Sequence, residues 1–215
     1  MTEFAVITSA SVEAFLDRLA SADPTPGGGS AAAIMGAMGA ALIAMVCRVS
    51  LGKKGVDANA EQALTSLCEE SDRLRSALTA MVAEDVAVFE ALMLAYRLPK
   101  ATEQDRAGRS AEIQRRLRVA TEVPLNCARA SAEVIHLARR AAELGSTSVV
   151  SDAGVGSLAA YAALRSAALN VHINVPNLHD KIFAAAALNE IETLSESCGL
   201  TDKAVYAVVR SRVAG

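Results

Sequence analysis

The sequence predicts an all-α protein, a bundle of long antiparallel helices. Three observations point to it. Apolar residues recur at three- and four-residue steps over long stretches, and few segments alternate polar with apolar side chains. Only five prolines occur in 215 residues, so long helices can run without interruption. The chain is 52% hydrophobic but only 3% aromatic and has no Trp, a composition that buries area through close helix contacts rather than large rings. The length suits one domain spanning 1–215.

The helices follow in order. Ser9 or Ser11 can cap a first helix carrying Val12, Phe15, Leu16 and Leu19, and Pro24 and Pro26 prevent its continuation. Gly27–Gly29 make a turn, and Ser30 to about Ser50 reads as a buried helix of small residues that Gly52 and Gly55 break. From about Val56, Leu64, Leu67, Leu74, Leu78, Met81, Val82, Val88, Phe89 and Leu92 keep helical spacing up to a corner at Leu98-Pro99-Lys100. Thr102, with Asp105 three residues on, opens a helix that runs to Leu144 before Gly145, with a kink expected at Pro124. Ser148–Gly156 reads as a break, followed by a helix from about Val155 to Ile173 that Pro176 stops. Asp180–Ser197 and Asp202–Val213 read as two closing helices.

Composition and charge exclude several functions. Net charge is -3 with no basic block and few aromatic residues, which argues against nucleic acid as a partner. Cys47, Cys68, Cys127 and Cys198 are far apart and form no CxxC pair, so reduced, buried thiols in the cytoplasm are expected. The opening MTEFAVITSA lacks the basic and apolar regions of a signal peptide. His136, His172 and His179 show no metal-binding spacing, and no metal site is expected.

Three stretches can carry chemistry. "DPTPGGGSAAAIMGAMGAALIAMVCRVSLGKK" is not a phosphate loop, because its glycines are contiguous and its lysines come a helix later. Nor is it a convincing membrane span, since Ala and Gly gain little from lipid. It reads as a glycine turn, Gly27–Ser30, at the N-terminus of a buried helix, whose free N–H groups either bind a ligand or simply allow close packing. "SDAGVGSLAAYAALRSAALNVHINV" repeats the arrangement. Asp152 there is a cap or a functional carboxylate, and Asn170 and Asn174 lie one turn apart on one face. In "AEDVAVFEALMLAYRLPK", Glu84 and Asp85 interrupt an apolar pattern, and either lies on the wet side or serves as a general base.

"PTPGGGSAAA", "LGKK", "YRLPK" and "SDAGVG…AALRSAALNVHINV", in that order, resemble the cyclodeaminase/cyclohydrolase family over nearly the whole chain from about Ser11. The length, with no transferase domain attached, looks most like the stand-alone methenyltetrahydrofolate cyclohydrolases. The resemblance implies an all-helical homodimer. It also implies metal-independent hydrolysis of 5,10-methenyltetrahydrofolate to 10-formyltetrahydrofolate, with the folate as substrate and no further cofactor. Formiminotetrahydrofolate cyclodeaminase activity is the sister reading, and a non-catalytic folate-binding helical protein is another. On this resemblance Asp152 and Asp85 are candidates for the base. Lys53, Lys54 and Lys100 are candidates for proton transfer or for binding the glutamyl tail. Gly27, Gly28, Gly29 and Ser30 would offer N–H groups, and Asn170 and Asn174 would read pterin amide edges. Gly55 and Val56 depart from the further lysine and aromatic residue that often continue the family's lysine pair, and Arg48 stands where a small polar residue is more usual.

Overall fold

The small-residue stretch forms the centre of the molecule. The structure is a computed structural model describing residues 10–53 and 57–214, and among these it contains six α-helices and no strand. They are α1 (Val12–Leu19), α2 (Gly28–Ser50), α3 (Ala58–Tyr96), α4 (Glu103–Leu144), α5 (Val150–Asn174) and α6 (Lys181–Ala214), with short 3-10 turns at Thr147–Val149 and Val175–Asn177. The expected all-α architecture is therefore observed.

Local chemistry sets most boundaries. The Ser11 hydroxyl caps α1, the Asp57 carboxylate caps α3, and Thr102 and Asp105 form a reciprocal capping box at α4. Gly52, with φ of 71°, ends α2 in the left-handed region that glycine adopts without strain.

α2 packs against α3, α4 and α5. It runs antiparallel to α3: Ser30 meets Asp85, the Ala44 carbonyl meets the Cys68 thiol, and Arg48 pairs with Asp72. It also runs antiparallel to α5, where Gly28 neighbours Asn170 and Gly39 neighbours Gly156. α2 is long and apolar enough to cross a membrane, yet Ala32, Ala33, Ala40, Ile43, Ala44, Val46 and Cys47 all sit in the shared core.

Two sequence expectations are corrected. Ser148–Gly156 is not a break, because the α-helix begins at Val150. Gly156 lies inside α5 and serves close approach: a Cβ at Gly39 would stand 2.7 Å from the Gly156 carbonyl oxygen, so neither helix tolerates a side chain there. The closing helices are also one, α6, continuous through Gly199 and Asp202. Asp202, read from sequence as the start of the second closing helix, lies inside α6. Its Oδ1 instead accepts the Ser157 hydroxyl at 2.7 Å, joining α5 to α6 in the core.

Pro124 lies within α4, which continues through it. A proline has no N–H, so the carbonyl four residues earlier, that of Ala120, loses its helical partner. The Asn174 amide donates to that oxygen at 2.8 Å. Asn174→Ala should lower stability in urea unfolding by about 1–3 kcal/mol, because a mostly buried carbonyl loses its donor. Adding Pro124→Ala, which restores the backbone N–H, should recover most of that loss.

Candidate active site

The N-terminal turn of α2 holds a carboxylate. Gly27 is the N-cap and brings no side chain, so the first N–H groups of the helix need outside acceptors. α3 brings the Asp85 carboxylate to this turn, where its Oδ2 accepts the Ser30 hydroxyl at 2.8 Å. Gly29 makes the approach possible: a Cβ there would lie 2.5 Å from the Asp85 Cγ. Glycine is thus required by contact rather than by backbone angle.

Asp85 is half-buried, and burial pushes its pKa above the ordinary carboxylate value. Hydrogen bonding from Ser30 opposes that rise without cancelling it. Glu84, its neighbour, is exposed and lies on the wet side. Beside Asp85 is a cavity of about 10 Å³, room for roughly one water, lined by Gly29, Met81, Pro124 and Cys127 among others. Burial pushes the Cys127 thiol up to about 12, so it is neutral near pH 7 and no nucleophile.

The structure gathers some of the residues singled out from sequence and disperses others. Gly27, Gly28, Gly29, Ser30, Asp85 and Asn170 meet at one end of the bundle. The Asn170 amide nitrogen is 3.9 Å from the position of a Cβ on Gly28 and donates to the Ser166 carbonyl at 2.9 Å. Asn174 is nearby, but its amide is committed to the Ala120 carbonyl. Asp152 lies in the first turn of α5, towards the opposite end and on the order of 20 Å from Asp85 along the helix axes. Lys53 belongs to that far end as well, where its ammonium donates to the Ser146 and Ser148 hydroxyls, each at 2.9 Å. Within one protomer, Asp85 and either Asp152 or Lys53 do not act on the same bond. Lys100 is exposed beyond the end of α3, and Lys54 lies outside the described residues.

Sequence reading missed Met81, Pro124 and Cys127 as neighbours of Asp85. Met81 was visible in principle, one turn before Asp85 on the same helix face. The α4 residues carried no such signal, because their placement depends on how α4 crosses α3.

The fold and site define a class: an all-helical protein in which a glycine-led core helix seats a desolvated carboxylate. The chain belongs to the formiminotransferase-cyclodeaminase family, whose model matches residues 11–193. It is 52% identical over 202 residues to a methenyltetrahydrofolate cyclohydrolase of Methylorubrum extorquens, covering 94% of this chain and 97% of that protein. It is 31% identical to the formimidoyltransferase-cyclodeaminase of Rattus norvegicus, covering 87% of this chain but 35% of the rat protein. A crystal structure of formiminotetrahydrofolate cyclodeaminase from Thermotoga maritima superposes with a TM-score of 0.80 at 28% identity, covering 96% of both chains.

Gly29→Ala should displace the Asp85 carboxylate and cost about 1–3 kcal/mol through overpacking. In a double-mutant cycle with Asp85→Ala, the two substitutions should cost clearly less together than the sum of their separate effects. Additive effects would mean that the two residues do not meet.

Proposed function

We propose that this protein is a methenyltetrahydrofolate cyclohydrolase that opens the cyclic bridge of 5,10-methenyltetrahydrofolate to give 10-formyltetrahydrofolate. The observation that carries the reading is the Asp85 carboxylate on the Gly27–Ser30 turn, in a chain 52% identical over nearly its full length to an enzyme of that name.

The chemistry suits the site. The bridge carbon of the substrate belongs to an amidinium cation and is already electrophilic, so the reaction needs a base and a placed water rather than a Lewis acid. A half-buried carboxylate attracts that cation, and a pKa raised by desolvation makes it a better proton acceptor. Water adds its oxygen to the bridge carbon and gives a proton to Asp85. The tetrahedral adduct then collapses: its carbon–N5 bond breaks, N5 takes up a proton, and the hydroxyl proton leaves as the formyl C=O forms. In sum, the cation and one water give the neutral formyl product and one released proton. In this reading Asn170, beside Gly28 on the neighbouring helix, hydrogen-bonds an amide edge of the pterin.

The expected homodimer is supported by Val155, Leu158, Leu169 and Ile173, large apolar side chains left exposed along α5. We place the protein in the cytoplasm, in keeping with its four free, buried cysteines. The structural likeness to a formiminotetrahydrofolate cyclodeaminase keeps ring closure with release of ammonia as the second reading.

Purified protein should speed the loss of methenyltetrahydrofolate absorbance and release no ammonia from formiminotetrahydrofolate. Ammonia release without cyclohydrolysis would replace the first reading by the second. Asp85→Asn should lower kcat/KM by about 100-fold or more, the usual scale for a lost general base. Asp152→Asn should do far less, and the reverse order would move the base to the other end of α5. In the wild type, kcat/KM should fall as pH drops and Asp85 takes up its proton, at a pH above the ordinary carboxylate range. Asp85→Asn should abolish that limb. Sedimentation should give twice the monomer mass, and Leu169→Glu combined with Ile173→Glu should shift it towards monomer.

A further inference from the structure

Asp85 belongs to a row. Asp85, Phe89, Met93 and Arg97 follow one another at four-residue steps near the C-terminal end of α3, which puts them on one ridge of the helix. Phe89, Met93 and Arg97 line a cleft of about 300 Å³, closed on its other side by Pro24 and Thr25. That opposite wall is the segment leading directly into the Gly27–Ser30 turn. The cleft therefore begins one helical turn beyond the carboxylate and shares both of its supporting elements.

The lining is graded along the row. Phe89 and Met93 are half-buried and apolar, while Arg97, the C-cap of α3, is exposed. Among the described residues its guanidinium has no carboxylate partner, whereas Arg115, Arg116 and Arg118 on α4 are all paired. Glu90 also lines the cleft. Its charge repels an anion from the middle of the cleft and leaves Arg97 as the position for one.

We infer that this cleft holds the aminobenzoyl-glutamate arm of the folate, an assignment that rests on the function proposed above. The benzoyl ring lies along Phe89 and Met93 against Pro24, a glutamate carboxylate meets the Arg97 guanidinium, and the cationic bridge comes to Asp85. Rise along the helix separates Asp85 from Arg97 by about 18 Å. An arginine side chain leans towards the N-terminus of its helix and takes back about one turn, roughly 5 Å, of that span. In an extended folate the bridge carbon and the glutamate α-carboxylate stand on the order of 10 Å apart at standard bond lengths. Asp85 leans the same way by a shorter reach, and contact distances of about 3 Å at each end take up the remaining few ångströms. The polarity also matches, with the anionic site for the cationic end and the cationic site for the anionic end.

The test compares two substrates, 5,10-methenyltetrahydrofolate and the corresponding methenyltetrahydropteroate, which lacks the glutamate. Arg97→Gln should raise KM for the folate about 10-fold or more, the scale of a lost charge-assisted hydrogen bond, with kcat within about twofold. It should leave KM for the pteroate unchanged, and Arg97→Lys should restore part of the folate affinity. Phe89→Ala should raise KM for both substrates. Equal effects of Arg97→Gln on the two substrates, or none on either, would overturn the assignment while leaving the cyclohydrolase reading in place. Wild-type protein inactive on both would overturn the functional reading and this assignment with it. Far-UV circular dichroism of each variant separates loss of fold from loss of binding.

Discussion

The arrangement depends on one contact, the seat of the Asp85 carboxylate on the first turn of α2. A buried helix N-terminus has free N–H groups and a partial positive charge, and a half-buried carboxylate needs both donors and a compensating field. Each therefore relieves a cost of the other. Ser30 contributes its hydroxyl, and Gly29 contributes the absence of a Cβ. The balance is incomplete, because burial still holds the pKa above the usual carboxylate value. The same contact fixes the axial register of α3 against α2. A shift by one residue would turn Asp85 away from the turn and leave Ser30 without its acceptor.

The rest of the bundle makes such a contact tolerable. A chain with almost no large rings fills its interior by bringing backbones together, as Gly39 and Gly156 do between α2 and α5. Among the described residues, the buried side-chain polar groups find partners except the Ser131 hydroxyl. The Ser157 hydroxyl finds Asp202, and the carbonyl stranded by Pro124 finds Asn174. Most ion pairs sit in water on the outer faces of α3, α4 and α6, where each adds little to stability.

Membership of the formiminotransferase-cyclodeaminase family accords with this architecture, and the geometry adds a division the family name does not contain. The core helices α2 and α5 lie antiparallel, so their N-termini point to opposite ends of the bundle. One end holds Asp85 and Asn170, and the other holds Lys53, Ser146, Ser148 and Asp152. Similar local sequences therefore serve separate places. The cleft running to Arg97 opens at the first end, along the α3 ridge that carries Asp85.

By itself, the sequence determined what depends on neighbours along the chain. Helical periodicity established the all-α class, the Thr102–Asp105 box established the start of α4, and the four ordered motifs established the family. It also placed Asp85 in an apolar pattern and a glycine turn before a core helix, but not the contact between them. That contact was decided by the tertiary structure, because Gly29 and Asp85 are brought together only by the antiparallel packing of α2 on α3. The same holds for Asp202, read as the start of a separate helix, and for Gly156, read as part of a break. Burial against α5 and α2 overrode both, since closing the core gains more than one local cap or turn. Short-range chemistry is written in residue spacing, whereas the pairing of distant residues is set by which helix faces must be hidden from water.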